Sequence, residues 1–282
     1  MCACYRFDTA CETARVPDSP AALLDFAHRL VDETDRIALG HFAGELTITA
    51  KHDRTLVTQA DTEVETRVRE RIAAQYPTHG ILGEEFGTEP GDGETRWIVD
   101  PIDGTHNFVR GIPIWATLLA VERGGELVTA LVSAPALGQR WTAVRGRGAG
   151  VRHERREQAI SVSKVSELGQ AQILFSTLRS IDAAGRGAGL RRILDQAWRD
   201  RGFGDFWGYM LVAQGSAEAM IEVGPRLWDL AAPALIVAEA GGRMTNLEGE
   251  VGYAGPTALA SNGHLHGELV ALLREAESQA QA

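Results

Sequence analysis

Residues 97–105 read Trp-Ile-Val-Asp-Pro-Ile-Asp-Gly-Thr, an apolar run that ends in two aspartates. The run before Asp100 indicates a strand, and Pro101 forces the chain out of strand pairing because proline has no backbone N–H. Asp103, three residues after Asp100, can then face the same point, and the Ile102 carbonyl is left free as an oxygen ligand. The stretch predicts oxygen ligands at the end of a strand, where sites on helix-covered sheets tend to form.

Gly104 and Thr105 extend this stretch with features that suit a phosphate group. Glycine lets the backbone approach a ligand closely, and Thr105 is expected to start a helix whose first N–H groups favour an anion. Carboxylate and carbonyl oxygens select Mg²⁺, which proteins hold through a few carboxylates, waters and substrate oxygens. Asp-Pro and Asp-Gly are also common turn formers, so the stretch alone is equally consistent with a capped turn.

Two further acidic segments favour a metal centre over a simple turn. Gly83-Glu84-Glu85 ends another expected strand, and Trp228-Asp229 begins an alanine-rich helix, where Asp229 has an alternative role as an N-cap. No basic residue accompanies these carboxylates, so in a shared site they would repel one another unless cations were bound. The pattern therefore indicates a site with more than one metal ion.

Helices and strands alternate through the rest of the chain. Ser19 and Pro20 predict the start of a first helix, and Asp61 is expected to cap a second helix that Pro77 closes. Strands are expected at Leu46–Thr49, Gly80–Gly83, Arg96–Val99, Trp115–Glu122, Glu126–Ala134, Arg140–Val144, Ile160–Ser163, Ile173–Ser176, Ala219–Val223 and Ala258–Ala260. Further helices are expected at Leu190–Arg199, Phe206–Ala213, Asp229–Ala240 and after Asn262-Gly263, and a charged surface excursion at His153–Gln158. The alternation predicts an α/β (α+β) fold of sheets sandwiched by helices.

Composition limits the classes of function. The chain has 282 residues and a formal net charge of −10, without a basic stripe that would indicate nucleic-acid binding. No run approaches the roughly 18 apolar residues that a membrane span needs. The cysteines, Cys2, Cys4 and Cys11, all precede residue 12, which is typical of a protein from a reducing cytoplasm rather than of a disulfide scaffold.

The distribution of apolar residues along the chain predicts the domain organisation. Residues 1–18 lack apolar periodicity and are expected to form a disordered tail, followed by one domain over residues 19–282. Within that domain we expect an N-terminal metal-binding half at about 19–158 and a C-terminal substrate half at about 159–282.

These motifs, together with Asp100–Phe108 (DPIDGTHNF), Trp228–Ala232 (WDLAA) and Glu239–Gly242 (EAGG), resemble the inositol monophosphatase family. The resemblance covers nearly everything from Ser19 onward. It implies a layered α-β-α-β-α sandwich, a homodimer, and hydrolysis of a small phosphate ester by a metal-activated water. Within the family, the chain looks most like the histidinol-phosphatases of actinobacteria.

The resemblance also assigns roles to individual residues. It implies that two or three Mg²⁺ ions are held by Glu84, Asp100, the Ile102 carbonyl, Asp103 and Asp229, with Asp100 bridging two of them. Thr105 and Asp61 would orient the attacking water, close to a third ion held by Glu84. Substrate contacts would come from Gly104, Thr105, Asn107, Gly204 and Asp229.

Residues 201–207 depart from the usual family pattern. Inositol phosphatases generally have a small residue after the glycine of this segment, and this chain has Asp205. A carboxylate there suits a cationic amine or imidazole better than a neutral polyol, and Glu222 on the following strand could add a second anionic contact. The alternative is that Asp205 is the N-cap of the next helix. Trp207 is interpreted as a core or interface aromatic.

Three functions therefore compete. The leading hypothesis is hydrolysis of histidinol phosphate, and the alternative within enzymes is hydrolysis of inositol 1-phosphate or another sugar phosphate. A catalytically silent metal-binding protein would be expected to lack Thr105, Asp61 or one ligand, and all of these are present.

Overall fold

The computed structural model describes residues 18–42, 44, 48–50, 56–154 and 156–280. Its helices are α1 (Pro20–Phe42), α2 (Gln59–Gln75), α3 (Thr105–Val109), α4 (Leu178–Ala183), α5 (Gly187–Gln196), α6 (Asp205–Ala213), α7 (Leu227–Glu239) and α8 (His266–Ala280). Its strands are β1 (Ile48–Ala50), β2 (Leu56–Thr58), β3 (Gly80–Gly83), β4 (Gly87–Glu89), β5 (Thr95–Asp103), β6 (Ala116–Arg123), β7 (Glu126–Ala134), β8 (Gln139–Val144), β9 (Ala149–His153), β10 (Arg156–Ile160), β11 (Gln172–Phe175), β12 (Arg199–Arg201), β13 (Ala219–Val223), β14 (Arg243–Thr245) and β15 (Thr257–Ser261). The three cysteines, the expected tail up to residue 17, and residues 46–47 of the first expected strand lie outside the described residues.

The elements form five layers. An eight-stranded sheet has the order β10-β9-β8-β7-β6-β5-β3-β4, and a five-stranded sheet has the order β12-β11-β13-β15-β14. Helices α1 and α2 cover the outer face of the first sheet, α6 and α7 lie between the sheets, and α4, α5 and α8 cover the second. The expected α-β-α-β-α sandwich is confirmed. Among the described residues, no helix has the length and apolar run of a bilayer-crossing segment.

The burial of each helix follows from its sequence. In α1, Leu23, Phe26, Leu30 and Val31 recur at helical spacing, so one face packs on the first sheet. Helix α7 is apolar on all sides, so it can be covered by both sheets. Nearly every residue from Leu230 to Val237 is buried. The central helical layer is therefore the most enclosed part of the molecule.

The register of the first sheet determines where its acidic strand ends meet. Strands β3 and β5 are parallel neighbours, with Gly83 opposite Val99. The residues that follow this pair are Glu84 and Asp100. Both therefore lie at the same edge of the sheet. Parallel pairing of these two strands is what brings the two acidic motifs together.

Several expected elements are confirmed. Helix α1 begins at Pro20 with the Ser19 hydroxyl accepting a hydrogen bond from Ala22 N–H at 3.3 Å. Strands β6 and β7 form the expected hairpin, whose turn residues Gly124 and Gly125 have φ of 58° and 83°. Positive φ at both positions is the geometry that a two-residue hairpin turn requires, and glycine adopts it without strain.

Other expectations are wrong in part. The described residues of His153–Gln158 are exposed, as expected, but they belong to a hairpin in which strands β9 and β10 pair and extend the first sheet. The strand expected at Ile160–Ser163 ends at Ile160, and the helix expected at Leu190–Arg199 runs instead over Gly187–Gln196. Charged residues on an edge strand resemble a loop in sequence, because one side of that strand faces solvent.

A buried histidine joins the second sheet to α8. His266 is 1% exposed, and its Nδ1 and Nε2 lie 2.8 Å from the Ser261 hydroxyl and 2.9 Å from the Thr245 hydroxyl. The Thr245 hydroxyl donates to the Asn246 carbonyl at 2.7 Å, so it accepts from Nε2–H, and Ser261 donates to Nδ1. Burial, and then the charge of Arg243, lowers the pKa of His266 from 6.5 to about 4. The network thus holds a neutral imidazole.

We predict that this histidine makes folding sensitive to acid. At pH values between the unfolded pKa of His266, 6.5, and its folded pKa of about 4, the unfolded chain binds a proton that the folded chain does not. The free energy of unfolding should therefore fall as pH drops through this window, and fall less in His266→Gln. Urea unfolding at about pH 7.5 and about pH 5 measures the difference. His264→Gln, at an exposed neighbour, is the control and should behave like the wild type; an equal response in all three proteins would contradict the prediction.

Candidate active site

The end of β5 is built around an interruption in strand pairing. The register between β5 and β6 shifts between Asp100 and Asp103. Pro101 lies in this gap, and its carbonyl accepts a hydrogen bond from the Thr117 hydroxyl at 2.8 Å. The interruption is short because pairing resumes at Asp103. It turns both carboxylates, and the Ile102 residue between them, toward one cavity.

Three carboxylates converge in this cavity. Asp100, Asp103 and Asp229 each offer an oxygen within 4.8 Å of the others. Asp103 accepts a hydrogen bond from the Phe206 N–H at the start of α6, at 2.5 Å. Asp229 accepts one from the Arg226 N–H at the start of α7, at 2.7 Å. The two central helices therefore hold two of the three acids in place.

Burial and the charges of neighbouring carboxylates raise the pKa of every member of this cluster. Burial, and then the charges of Glu84 and Asp103, raise the pKa of Asp100 well above its usual value. Burial, and then the charge of Asp205, do the same for the pKa of Asp103. The pKa of Asp229 rises to about 6, chiefly through burial and also through the charge of Glu84. Ionised carboxylates are thus costly here unless a cation accompanies them.

The donor set fits Mg²⁺. Among the described residues, the buried Oδ1 of Asp100 has no hydrogen-bond partner, although buried carboxylate oxygens ordinarily have one. All the ligand atoms on offer are hard oxygens, which Mg²⁺ prefers. The residues that would hold it are Asp100, Asp103 and Asp229, with the Ile102 carbonyl and Glu84 on the same cavity.

Glu84 lies beside this cluster rather than within it. It lines the same cavity but is not among the three carboxylates that approach within 4.8 Å. Its charge nevertheless raises the pKa of Asp61 as well as those of Asp100 and Asp229. The charge of Glu84 therefore acts both on the carboxylate cluster and on Asp61.

Thr105 and Asp61 come together across the cavity from different elements. The Thr105 hydroxyl, at the start of α3, lies 3.4 Å from Oδ1 of Asp61 and 3.0 Å from the Ile102 carbonyl. The other oxygen of Asp61 accepts hydrogen bonds from the N–H and the hydroxyl of Thr58, at 2.7 and 2.6 Å. Burial raises the pKa of Asp61, while these hydrogen bonds lower it. Asp61 is thus a fixed acceptor facing the Thr105 hydroxyl.

The N-cap assignment of Asp61 is wrong, and the structure does not support the N-cap alternatives for Asp229 and Asp205. Thr58, not Asp61, is the N-cap of α2, and Arg226, not Asp229, is that of α7. In both helices the aspartate is the third residue and its carboxylate accepts the N–H of the cap residue, so one oxygen remains for the cavity. The N-cap of α6 is Gly204, so Asp205 does not cap that helix either.

A second cavity of about 240 Å³ adjoins the first and shares Asp205 with it. It is lined by Asn107, Ile114, Ser176, Thr177, Gly202, Phe203, Gly204, Asp205 and Trp207. Because one carboxylate borders both spaces, a ligand in either cavity lies close to Asp205.

Asp205 is held in an uncommon conformation. Its φ is +56°, a left-handed value that few residues other than glycine adopt. Its carboxylate accepts a hydrogen bond from the Asn107 side-chain amide at 3.1 Å, and the same amide donates to the Ile114 carbonyl at 2.9 Å. Burial raises the pKa of Asp205, and the nearby His106 opposes that rise. Backbone strain of this kind is characteristic of functional positions.

Glu222 is near the site but borders neither cavity. Its carboxylate accepts a hydrogen bond from the Tyr209 hydroxyl at 2.5 Å. Burial, together with the charges of Asp205 and Asp229, raises the pKa of Glu222 to about 8. The structure therefore places Glu222 behind Asp205 and does not bring it to a cavity wall.

The sequence reasoning missed part of the second cavity. Ser176 and Thr177 directly follow strand β11, and strand ends are where such sites form, so this signal was available. The buried Ser176 hydroxyl has no hydrogen-bond partner among the described residues. Trp207, interpreted as a core or interface aromatic, lines the cavity beside Phe203, with ring centroids 4.7 Å apart. Gly104 has a φ of +84°, and a Cβ there would lie 2.9 Å from the Ile114 carbonyl oxygen, so the packing of the protein itself requires glycine. The close approach to a ligand expected at Gly104 stays a prediction.

Comparison with known proteins agrees with this arrangement. The model of the inositol monophosphatase family matches residues 20–278. A histidinol-phosphatase of Streptomyces coelicolor is 43% identical over 258 residues, which cover 89% of this chain and 97% of that protein. A histidinol-phosphatase of Mycobacterium tuberculosis is 45% identical over 243 residues, covering 86% of this chain and 93% of that protein. The crystal structure of the extragenic suppressor protein suhB from Bartonella henselae superposes with a TM-score of 0.83 at 28% identity, covering 90% of this chain and 99% of that one.

We predict that Asp100→Asn stabilises the metal-free protein and removes most of its response to Mg²⁺. The substitution relieves repulsion in the buried cluster but takes away its central charge. In EDTA the variant should melt above the wild type. Mg²⁺ at about 100 times its dissociation constant should stabilise the wild type by about 2.7 kcal/mol and the variant far less. Thermal melts in EDTA and in Mg²⁺ measure both effects, with Asp195→Asn on the exposed side of α5 as the control. An unchanged Mg²⁺ response in Asp100→Asn would contradict the metal assignment.

Proposed function

The chain belongs to the inositol monophosphatase family, and from that premise we propose that it is a Mg²⁺-dependent phosphomonoesterase that hydrolyses histidinol phosphate to histidinol and phosphate. The position of Asp205 carries this proposal. Its carboxylate lies at the junction between the acidic cavity and the second cavity. A phosphate group bound at the first would place the organic part of its ester beside this anion.

The lining of the second cavity supports a cationic, planar organic group. Phe203, Trp207 and Ile114 supply apolar and aromatic walls, while Asp205 supplies a negative charge. Aromatic rings and a carboxylate together favour an imidazolium or ammonium group, through cation–π attraction and a charge-assisted hydrogen bond. The Ser176 hydroxyl offers a further polar contact. A neutral polyol would leave the Asp205 charge without a counter-charge.

The phosphate group is proposed to lie over the acidic cluster and the first turn of α3. Bound Mg²⁺ would offset the phosphate charge and lower the pKa of the attacking water. Asp100, Asp103 and Asp229, with Glu84 and the Ile102 carbonyl, would hold two or three ions. Gly104 lets the backbone at the start of α3 approach the phosphate oxygens.

Thr105 and Asp61 are proposed to orient the water and to accept its proton. The Thr105 hydroxyl can accept a hydrogen bond from the water while it donates to the carboxylate of Asp61, 3.4 Å away. Asp61 cannot turn away, because the N–H and hydroxyl of Thr58 hold its other oxygen. Water attacks phosphorus opposite the ester oxygen, and the bond between phosphorus and that oxygen breaks. The departing alkoxide takes a proton from solvent water and leaves as the alcohol, and no bond to the protein forms.

Asn107 and Gly204, which line the second cavity, are proposed to contact the substrate and also to hold Asp205 in place. Asn107 fixes the Asp205 carboxylate, and Gly204 precedes it as the N-cap of α6. Glu222 borders neither cavity and accepts a hydrogen bond from the Tyr209 hydroxyl, so it would act through that contact and not as a second anionic contact to the substrate. The homodimer implied by the resemblance and the cytoplasmic location expected from the cysteine positions stay predictions.

The alternative substrate is inositol 1-phosphate or another sugar phosphate. Every metal ligand and the Thr105–Asp61 pair would serve that reaction equally well, so they do not discriminate between the two substrates. Only the second cavity does. The alternative would be favoured if kcat/KM for inositol 1-phosphate exceeded that for histidinol phosphate.

Removing the Thr105 hydroxyl should slow turnover without releasing the metal. We expect Thr105→Ala to lower kcat by roughly 10²-fold or more, the scale of a lost general-base contact. Direct titration with Mn²⁺ should give nearly the wild-type affinity. Thr62→Ala, which removes a surface hydroxyl of α2, is the control. A variant with raised KM and normal kcat would instead make Thr105 a phosphate-binding residue.

Neutralising Asp205 should separate the two candidate substrates. Asp205→Asn removes a charged hydrogen-bond acceptor, a contact worth roughly 1.5–3 kcal/mol, so kcat/KM for histidinol phosphate should fall by about ten- to two-hundred-fold. Hydrolysis of glycerol 2-phosphate, which has no cation, should change little or improve. Steady-state kinetics on both esters measure the contrast. Equal losses on both would show that Asp205 is structural and would favour the polyol phosphates.

A further inference from the structure

We propose that Glu65, which lies outside both cavities, is a positioning residue that holds the turn at residues 83–87, here called the Glu84 turn, in its metal-binding place. The proposal rests on the metal-dependent function proposed above. Glu65 is on α2, is fully buried, and borders neither the acidic cavity nor the substrate cavity. A buried carboxylate has to be compensated by hydrogen bonds or an opposite charge, and its partners reveal what it holds.

The partners of Glu65 are the backbone of the Glu84 turn. One of its oxygens accepts the Glu85 N–H at 2.7 Å, and the other accepts the Phe86 N–H at 3.2 Å. These are the two residues directly after Glu84. Hydrogen bonds from backbone N–H groups to a buried charge are among the stronger ones, so they restrict where the chain places Glu84.

Arg69 completes the attachment from the next turn of α2. Its guanidinium donates to Glu65 at 2.8 Å and to the Gly87 carbonyl at 2.6 Å, at the far end of the Glu84 turn. It also lies over the Phe86 ring, 5.7 Å from its centroid. The Glu65–Arg69 ion pair thus binds the Glu84 turn at two N–H groups, through Glu65, and at one carbonyl, through Arg69.

The backbone at Gly83 closes tightly on the same carboxylate. A Cβ at this position would lie 2.1 Å from Oε1 of Glu65, closer than any real contact. Glycine is therefore required at this position by the Glu65 carboxylate rather than by a ligand. Gly83 immediately precedes Glu84. The turn is therefore packed against Glu65 at Gly83 and hydrogen-bonded to it at Glu85 and Phe86.

Helix α2 consequently contacts both Thr105 and the Glu84 turn from one face. Residues four apart lie on the same side of a helix, and Asp61 and Glu65 have this spacing. Asp61 faces the Thr105 hydroxyl, while Glu65 holds the turn that carries Glu84. Because both contacts come from one rigid element, the water-orienting pair and the outlying metal ligand keep a fixed relation.

Metal binding in solution tests the proposal without relying on activity. Mn²⁺ titration followed by electron paramagnetic resonance should show the weakest site losing about tenfold or more in affinity in Glu65→Gln, the scale typical of residues that orient metal ligands. Excess Mg²⁺ should restore kcat, with KM for the substrate unchanged. Glu63→Gln is the matched control, because Glu63 is on the same helix, half exposed, and paired with His41. This control should bind Mn²⁺ like the wild type.

A double variant separates positioning from general destabilisation. If Glu65 acts through Glu84, the Glu65→Gln/Glu84→Gln protein should bind Mn²⁺ no more weakly than Glu84→Gln alone. Additive losses, or wild-type Mn²⁺ affinity in Glu65→Gln, would overturn the proposal. Should Glu65→Gln fail to fold, Gly83→Ala displaces the same carboxylate and decides the question by the same titration. Loss of the Mn²⁺ site in a protein that does not hydrolyse histidinol phosphate would leave the positioning role intact and reject only the proposed substrate.

Discussion

Repulsion among buried carboxylates is the constraint on which the rest of the structure depends. Asp100, Asp103 and Asp229 lie within 4.8 Å of one another in an enclosed space, and their pKa values are raised for that reason. Such a cluster is costly unless cations occupy it, so the fold has to supply the energy that keeps it together. That energy comes from the packing of α6 and α7 between two sheets, the most enclosed layer of the molecule. Backbone N–H groups at the first turns of the same helices then hold Asp103 and Asp229 in position.

In the function proposed above, the arrangement separates the chemistry of the phosphate from recognition of the organic group. The phosphate side is assembled from β3, β5, α2 and α3 of the first half of the chain, with Asp229 added from α7. The recognition side comes mainly from the segments after β11 and before α6, which surround the second cavity. A change in the second group of residues can alter which ester is accepted without moving a metal ligand. Function in this family thus resides in a small set of side chains on a shared scaffold, and Asp205 is the residue that belongs to both sides.

The errors in the sequence analysis have a common physical origin. An acidic residue near the start of a helix stabilises it either as the N-cap or from the third position, and local sequence does not distinguish the two. Asp61 was assigned to the first role, which was also the alternative for Asp229, and both residues occupy the second. From that position Asp229 keeps one oxygen for the cavity, and Asp61 keeps one for the Thr105 hydroxyl. Likewise, the charged segment His153–Gln158 was interpreted as a surface excursion, although it forms the outermost hairpin of the first sheet. An edge strand has few neighbours to impose a pattern of burial on its residues.

The sequence by itself determined the layered fold class, the acidic motifs at Glu84, Asp100, Asp103 and Asp229, and their preference for a hard cation. These features follow from local rules: hydrophobic periodicity, the restrictions of proline and glycine, and the chemistry of oxygen ligands. Only the tertiary structure decided that Ser176, Phe203 and Trp207 line one cavity and that Glu222 stands behind Asp205 rather than at its wall. It also decided that Glu65 supports Glu84, a relation between residues 19 positions apart that arises when α2 packs beside β3 and β5. Contacts between distant segments depend on how helices and sheets pack, and no periodicity in the chain records that packing.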